Sequence, residues 1–372
     1  MKDSLKVTIG MLAWNEETGI LPALESICNQ SLFQNAVDLG VELELLVIAN
    51  GCTDRTVEIT RSFFSRARET FPDGGPVELR LKEVSEAGFA NAWNLLSHSF
   101  SRRDADFIFF INADIVITQS DLFEKMLDKL QENQGLLVVS PKGHKHIEAA
   151  KCKSLFDRIN LAVTRFSDAS QSGQVRGHCF CARSSVMRSV WLPRKFPGAV
   201  DGLFKRLVVT DMVSRPDDSS CIGVIDTGYT FEAYRTLRDI ANRRVRLFVG
   251  QTFIETLVRH IKTMREIRPE MDATAYLRER DKTDPSWLHR LVQLSIKQNG
   301  LGFTMPSPWF RFRYLHRSDL GNFRKAVMLP VALIAFTFDL PVFIAAAIRL
   351  KTGKVSNVWK DTRNQEKELT AP

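Results

Sequence analysis

Short apolar runs that stop at polar clusters recur along the first half of the chain. Val7–Ala13 ends at Trp14-Asn15-Glu16-Glu17, Leu45–Ala49 at Asn50-Gly51-Cys52-Thr53-Asp54, and Phe107–Ile111 at Asn112-Ala113-Asp114. Runs this short, rich in β-branched and aromatic residues, suit strands buried on both faces of a parallel sheet. Between them lie helical patterns. Residues 18–32 carry Ile20, Leu21, Leu24 and Ile27 at helical spacing, and a helix from Thr53, capped near Thr53 or Asp54, turns Val57, Ile59 and Phe63 inward. A Pro72–Pro76 turn precedes a strand at 77–84, followed by helices at 87–100 and 121–130 and strands at 136–140 and 177–183. This alternation predicts a mostly parallel, doubly wound α/β sheet flanked by helices. In open sheets of that kind ligands bind beyond the carboxyl ends of the strands. The polar clusters at the strand exits therefore point to a site for a charged ligand.

The loop sequences disfavour two common occupants of such a sheet. A dinucleotide-binding turn needs G-x-G-x-x-G after the first strand, and the chain has Ala13-Trp14-Asn15-Glu16-Glu17, acidic where a pyrophosphate would sit. No G-x-x-x-x-G-K-[ST] occurs, which disfavours a P-loop enzyme. Six cysteines without a C-x-x-C pair imply neither a zinc site nor a disulfide framework, and indicate a reducing compartment. The N-terminus lacks the apolar core of a signal peptide, so the protein is expected to start in the cytoplasm.

The charge is unevenly spread. Residues 231–372 hold 25 Lys and Arg against 14 Asp and Glu, net +11, so the overall +8 belongs to this part. It contains the basic run Arg235, Arg238, Arg243, Arg244 and Arg246, and then an apolar stretch from Ala326 to Ile348 whose single charge is Asp339. Such a stretch is long enough to span a bilayer at ~1.5 Å per residue. Asp339 near its middle would cost ~3 kcal/mol in a simple span, and Pro330 and Pro341 interrupt the helix. The expectation is a re-entrant or interfacial hairpin bent around Phe338-Asp339-Leu340-Pro341, with the flanking basic residues attracting anionic lipid rather than nucleic acid. Ser356–Pro372 reads as a polar tail.

The polar clusters resemble, in order, the motifs of family 2 glycosyltransferases. Ala13-Trp14-Asn15-Glu16-Glu17 with Leu21, Leu24, Ser26 and Gln30 resembles "P-x-Y-N-E-E" and "L-x-S-l-x-x-Q". Asn50-Gly51-Cys52-Thr53-Asp54-Arg55-Thr56 resembles "D-D-G-S-T-D-x-T", and Gly88-Phe89-Ala90-Asn91-Ala92-Trp93-Asn94 resembles "G-K-A-x-A-x-N". Asn112-Ala113-Asp114 stands where the family has a D-x-D motif, Val200-Asp201-Gly202-Leu203-Phe204-Lys205-Arg206 resembles "E-D-x-x-L-x-x-R", and Arg243–Leu247 is similar to "[QR]-x-x-R-W". The resemblance implies a GT-A (Rossmann-like) fold and an inverting transfer from a nucleotide sugar.

It also implies roles for individual residues. Ala13, Asn15, Glu16, Asn50, Asp54, Gly88, Asn94, Asn112 and Ala113 would bind the nucleotide sugar, Asp114 would ligate a divalent metal (Mg2+ or Mn2+), and Asp201 would be the general base. Arg243, Arg246 and His178 would face the diphosphate or the acceptor. The chemistry agrees: an acceptor hydroxyl needs a carboxylate to take its proton, and hard cations that bridge phosphates want oxygen ligands. Several positions depart from the pattern. Ala49 and Asn50 replace the paired acids, although an Asn carboxamide can still pair with a pyrimidine edge, which makes uridine plausible. Asn112 replaces the leading acid, Phe89 a lysine and Leu247 the tryptophan of processive synthases, which favours addition of a single sugar.

The expected layout is a catalytic domain over 1–235, with its nucleotide-sugar half at about 1–118 and its acceptor half at about 119–235. A basic helical region (236–325), a membrane-associated segment (326–350) and a polar tail (351–372) complete the chain. The expected activity is transfer of one sugar, UDP-linked, to a lipid, lipid-linked or surface-glycan hydroxyl at the cytoplasmic membrane face. The alternative is a non-catalytic nucleotide- or glycan-binding scaffold of the same fold.

Overall fold

The computed structural model describes residues 4–146, 173–232, 236–305 and 321–356, with Ser307, Trp309, Phe312 and Leu315 between the last two stretches. Cys152, Arg235 and the tail at 357–372 lie outside the described residues. The chain divides into two compact units, Met1–Arg194 with Asp201–Ala233, and Lys195–Val200 with Tyr234–Pro372.

The first unit is built on an eight-stranded sheet. Its strands are β1 (Leu5–Ala13), β2 (Val41–Asn50), β3 (Val77–Val84), β4 (Phe107–Asn112), β5 (Ile115–Ile117), β6 (Val138–Lys145), β7 (Cys179–Arg183) and β8 (Ile222–Phe231), in the order β3-β2-β1-β4-β7-β6-β8-β5. β3, β2, β1 and β4 run parallel, as the apolar runs of β1, β2 and β4 predict, while β3, at the sheet edge, alternates apolar and charged residues. Beyond β4 the sheet is mixed. β7 runs antiparallel to both β4 and β6, β8 is parallel to β6, and the short β5 is antiparallel to β8. The expected helix at 87–100 is α-helical only over Phe89–Leu95 and continues as a π turn over Leu96–Phe100.

The two faces of the sheet are filled differently. On one, Val7, Ile9, Met11, Leu45, Val47, Phe109 and Ile111 join Ile20, Leu24 and Ile27 of the helix Ile20–Cys28, and Phe123, Met126 and Leu130 of the helix Leu122–Glu132. On the other, an aromatic column runs from Phe110 (β4) to Phe180 (β7) to Phe204 to Trp93, with ring centroids 5.0, 5.0 and 5.4 Å apart. Offset or tilted rings at this spacing add about 0.5–1.5 kcal/mol per pair beyond area burial. Phe204 lies one helical turn after Asp201, so the column seats the helix Val200–Val209 against the middle of the sheet. Cys179 and Cys181 are both fully buried, as their shared face predicts, and burial holds both thiols well above the usual range.

The second unit is helical. Leu237–Ile267 is a 31-residue helix opened by a capping box, Thr236 with Asp239. Ala273–Thr283, Trp287–Asn299 and Leu301–Thr304 come next, and a second 31-residue helix spans Asn322–Thr352. This last helix corrects the expected hairpin, because it runs unbroken through Phe338–Pro341. Pro330 and Pro341 both fall on its exposed side, where the carbonyls they leave without a helical donor can be solvated. Asp339 is 0% exposed, and its carboxylate pairs with Arg244 of the Leu237–Ile267 helix at 3.0 Å. The charge that argued for a bend is instead held by a cation on a neighbouring helix.

Candidate active site

The exits of β1 and β2 are tied together by side chains. Asn15 adopts the left-handed conformation that Asn tolerates. Its Oδ1 accepts from the Thr53 amide at 2.8 Å, and its Nδ2 donates to Thr53 Oγ1 at 3.2 Å. The Glu16 amide donates to Thr56 Oγ1 at 2.7 Å. Asp54 accepts from the Glu17 amide (3.0 Å), the Thr56 amide (3.0 Å) and Thr56 Oγ1 (2.5 Å). Its carboxylate therefore braces both turns and steadies the start of the helix Thr56–Ala67. Gly51 follows with a φ of +70°, and a Cβ there would lie 2.9 Å from the Ala87 nitrogen. Glycine thus lets the loop leading to Gly88 close against the β2 exit. Asn50 is buried, and its Oδ1 has no hydrogen-bond partner among the described residues.

Gly88 opens the helix Phe89–Leu95. Both ends of the Asn94 carboxamide go to the Leu192 backbone, Nδ2 to its carbonyl at 2.7 Å and Oδ1 from its amide at 3.0 Å. Asn94, expected against a ligand, clamps this helix to the segment at Leu192. Phe89, in the position of the family's lysine, packs on Phe110 at 5.5 Å.

The β4 exit joins the β1 exit on one side and β7 on the other. The Ala113 amide donates to the Leu12 carbonyl at 3.1 Å, and the Ala113 carbonyl lies 3.4 Å from where a Cβ on Gly19 would be, beside the Glu16 carboxylate. The Asn112 amide donates to the His178 carbonyl at 2.9 Å. Asn112 is buried, and its Oδ1 also has no partner among the described residues. Asp114, half-buried, stands between Asn112 and β5, whose Ile115 pairs with Phe231 and Ile117 with Tyr229.

Asp201 reaches the same end of the sheet from another element. A Cβ on Gly177 would come within 2.9 Å of Asp201 Cγ and 3.0 Å of its Oδ2, so the carboxyl group lies directly on the residue preceding His178. The His178 ring stacks on Phe231 with centroids 4.9 Å apart. Asn112, Asp114, His178 and Asp201 are thus brought together around the β4 and β7 ends.

Sequence reasoning missed a member of this group. Tyr229, on β8, is fully buried with its ring over Gly143, and its hydroxyl has no hydrogen-bond partner among the described residues. Burial pushes the phenol well above its usual pKa of 10.0. The Cys179 thiol and the charges of Asp114 and Asp201 push the same way, and Arg176 opposes them. Asp114 and Asp201 therefore both lie within electrostatic reach of one buried hydroxyl. The signal that could have found it is the alternation of Tyr229 and Phe231, although Gly228 obscures the strand.

Arg243 and Arg246 belong to the second unit, on the helix Leu237–Ile267. Arg243 is exposed, whereas the Arg246 stem lies over Gly198, 2.7 Å from where a Cβ would be. Among the described residues no three His, Cys, Asp or Glu side chains gather around one point. A divalent cation could find Asp114 and the amide oxygen of Asn112 here, and a set this small fits only an ion that brings oxygen ligands from a diphosphate and water.

Residues 8–190 match the family model described as "Glycosyl transferase family 2". None of the curated proteins compared matches the chain. Among solved structures it is similar to the mannosyltransferase PcManGT from Pyrobaculum calidifontis in complex with GDP-Man and Mn2+ (18% identity, 92% of this chain and 86% of that one, TM-score 0.48). S. aureus TarS 1-349 is similar at 13% identity (94% and 92%, TM-score 0.45). So is glucosyl-3-phosphoglycerate synthase from Mycobacterium tuberculosis, at 18% (67% and 78%, TM-score 0.41). Residues 8–190 are therefore a glycosyltransferase domain of glycosyl transferase family 2.

Proposed function

We propose that the protein moves a single sugar, with inversion, from a UDP-linked donor to a hydroxyl of a lipid, lipid-linked or surface-glycan acceptor at the cytoplasmic face of a membrane. The observation that supports this best is that two carboxylates from separate elements, Asp114 after β4 and Asp201 on its helix, both lie within electrostatic reach of the buried Tyr229 hydroxyl, with the Asp201 carboxyl group lying on Gly177. Inversion by single displacement needs that division of labour. One carboxylate handles the leaving group and a second takes the acceptor proton.

In this reading Ala13, Asn15, Glu16, Asn50 and Gly88 line the pocket for base and ribose, with Asp54 and Asn94 bracing it from behind. The unpartnered amide oxygen of Asn50 would meet an N–H on the base edge. Asn112, Ala113 and Asp114 receive the diphosphate end, and Asp114 with Asn112 would hold Mg2+ or Mn2+. When bound, the cation neutralises charge on the departing diphosphate. The Asp201 carboxylate accepts the acceptor's hydroxyl proton while that oxygen bonds to the anomeric carbon and the bond to the diphosphate oxygen breaks. His178 borders the acceptor. The apolar helix at 322–352 supports a membrane location, since its Ala332–Thr352 part is long and apolar enough to cross a bilayer.

A panel of nucleotide sugars, each with Mg2+ or Mn2+, tests this reading through nucleoside diphosphate release and the anomeric configuration of the product. Turnover of a UDP-sugar with inversion is expected. Nucleotide binding without turnover of any donor would instead favour the scaffold alternative.

A further inference from the structure

The helix Asn322–Thr352 has two unlike sides. Ala332, Asp339, Val342, Ala346 and Leu350 are buried within the second unit. The other side carries a stripe at spacings of three and four residues, apolar except for Thr337, through Phe323 (82% exposed), Val327, Pro330, Ile334 (72%), Thr337, Pro341, Ile344 and Ile348 (58%). Leu333 and Leu340 widen it. At ~1.5 Å per residue the stripe is about 38 Å long, an exposed apolar surface of the kind that marks an interaction site.

Two observations decide what covers it. The helix ends are basic, with Arg324 and Lys325 at one and Arg349, Lys351 and Lys354 at or just beyond the other. The helix's single acid, Asp339, is turned away into the unit and paired with Arg244. A second copy of this helix, parallel or antiparallel, would set Arg and Lys against Arg and Lys at both ends. An anionic bilayer accepts cations at both ends and apolar side chains between them. The Asp339–Arg244 pair also settles the orientation. Were the helix to cross the bilayer it would have to leave that pair, stranding a carboxylate in hydrocarbon.

We propose that the stripe Phe323–Ile348 is a docking surface for an anionic lipid bilayer, on which the helix lies in the plane of the interface without crossing it. Lys and Arg at its ends meet lipid phosphates, and Asp339–Arg244 keeps the helix attached to its unit. This deepens the membrane association proposed above and rests on it.

Cosedimentation of the full chain with vesicles tests the proposal, using phosphatidylcholine alone and phosphatidylcholine with phosphatidylserine, and donor hydrolysis measured in the same samples. Wild type should sediment with the serine-containing vesicles, less so in high salt, and should be released by alkaline carbonate. Ile334→Glu with Ile344→Glu should lose vesicle binding while keeping donor hydrolysis. Arg324→Gln with Lys325→Gln should lose the preference for phosphatidylserine. Three results would overturn it: unchanged vesicle binding by the double Glu variant, retention through carbonate as for a spanning helix, or a vesicle-free dimer that the same variant dissolves. Loss of hydrolysis in wild type would count against the transferase reading and leave the lipid result standing.

Discussion

A Cβ on Gly177 would stand 2.9 Å from Asp201 Cγ, closer than side-chain atoms pack. The absence of a side chain at 177 is what lets this carboxyl group lie at the end of β7. Gly177→Ala should therefore displace Asp201 without unfolding the sheet. Turnover should fall about tenfold or more, with donor affinity little changed. Single-turnover rates and nucleotide titration check this, and unchanged turnover would mean that the close approach has no functional consequence.

The Tyr229 hydroxyl is buried without a partner among the described residues while Asp114 and Asp201 act on it. Its raised pKa keeps it a neutral donor throughout the working range. Tyr229→Phe retains the ring and removes an unsatisfied polar atom, so thermal stability should be equal or higher. Turnover should nevertheless fall by about an order of magnitude, as expected for losing one preorganised donor. Equal activity would confine Tyr229 to packing.

Much of this arrangement was legible in the sequence, for identifiable reasons. β1, β2 and β4 could be read because their apolar runs end in polar turns, and β3 from its alternation after the Pro72–Pro76 turn; Asp114 and Asp201 were singled out because each sits in a recognisable motif. The second half of the sheet was harder. The Cys179–Arg183 run carries no sign of its antiparallel direction. β8 is broken up by Gly223, Asp226 and Gly228, which hid Tyr229 with it. Asp54 and Asn94 read as ligand contacts because polar residues at strand exits serve ligands and turns alike, and the hydrogen bonds each makes within the fold could not be read from the sequence. The hairpin expected around Asp339 failed because a buried acid is tolerable when a distant arginine meets it, and no local pattern reveals Arg244 as that partner.

Asp114→Asn preserves shape and removes the charge. In the wild type, Mn2+ should tighten UDP binding and raise turnover together. In the variant, calorimetry should find UDP affinity indifferent to Mn2+, since one carboxylate is the only charged protein ligand proposed for the cation. A normal metal response would place the cation elsewhere.

His260 in the second unit is held below its usual pKa of 6.5, first by burial and then by the Arg280 charge. Its Nε2 lies 2.7 Å from the Tyr276 hydroxyl, beside the Trp287 ring. A folded-state pKa below the unfolded value means that the unfolded chain takes up the proton first as pH falls. The stabilising contribution is complete above pH about 6.5 and is lost on acidification through the folded pKa. Melting temperature should thus drop below about pH 6.5, and His260→Gln should flatten part of that drop. The remainder belongs in part to His289, lowered by burial as well.

The most direct measurement is the turnover of Asp201→Asn with a UDP-sugar and its acceptor, beside the binding of UDP to the same variant. The amide keeps the size and position of the carboxyl group on Gly177 but cannot accept the proton. Turnover should fall about 100-fold or more while UDP affinity stays within about twofold of wild type. Preserved turnover with weakened nucleotide binding would contradict the assignment of Asp201 as the base and make it a binding residue.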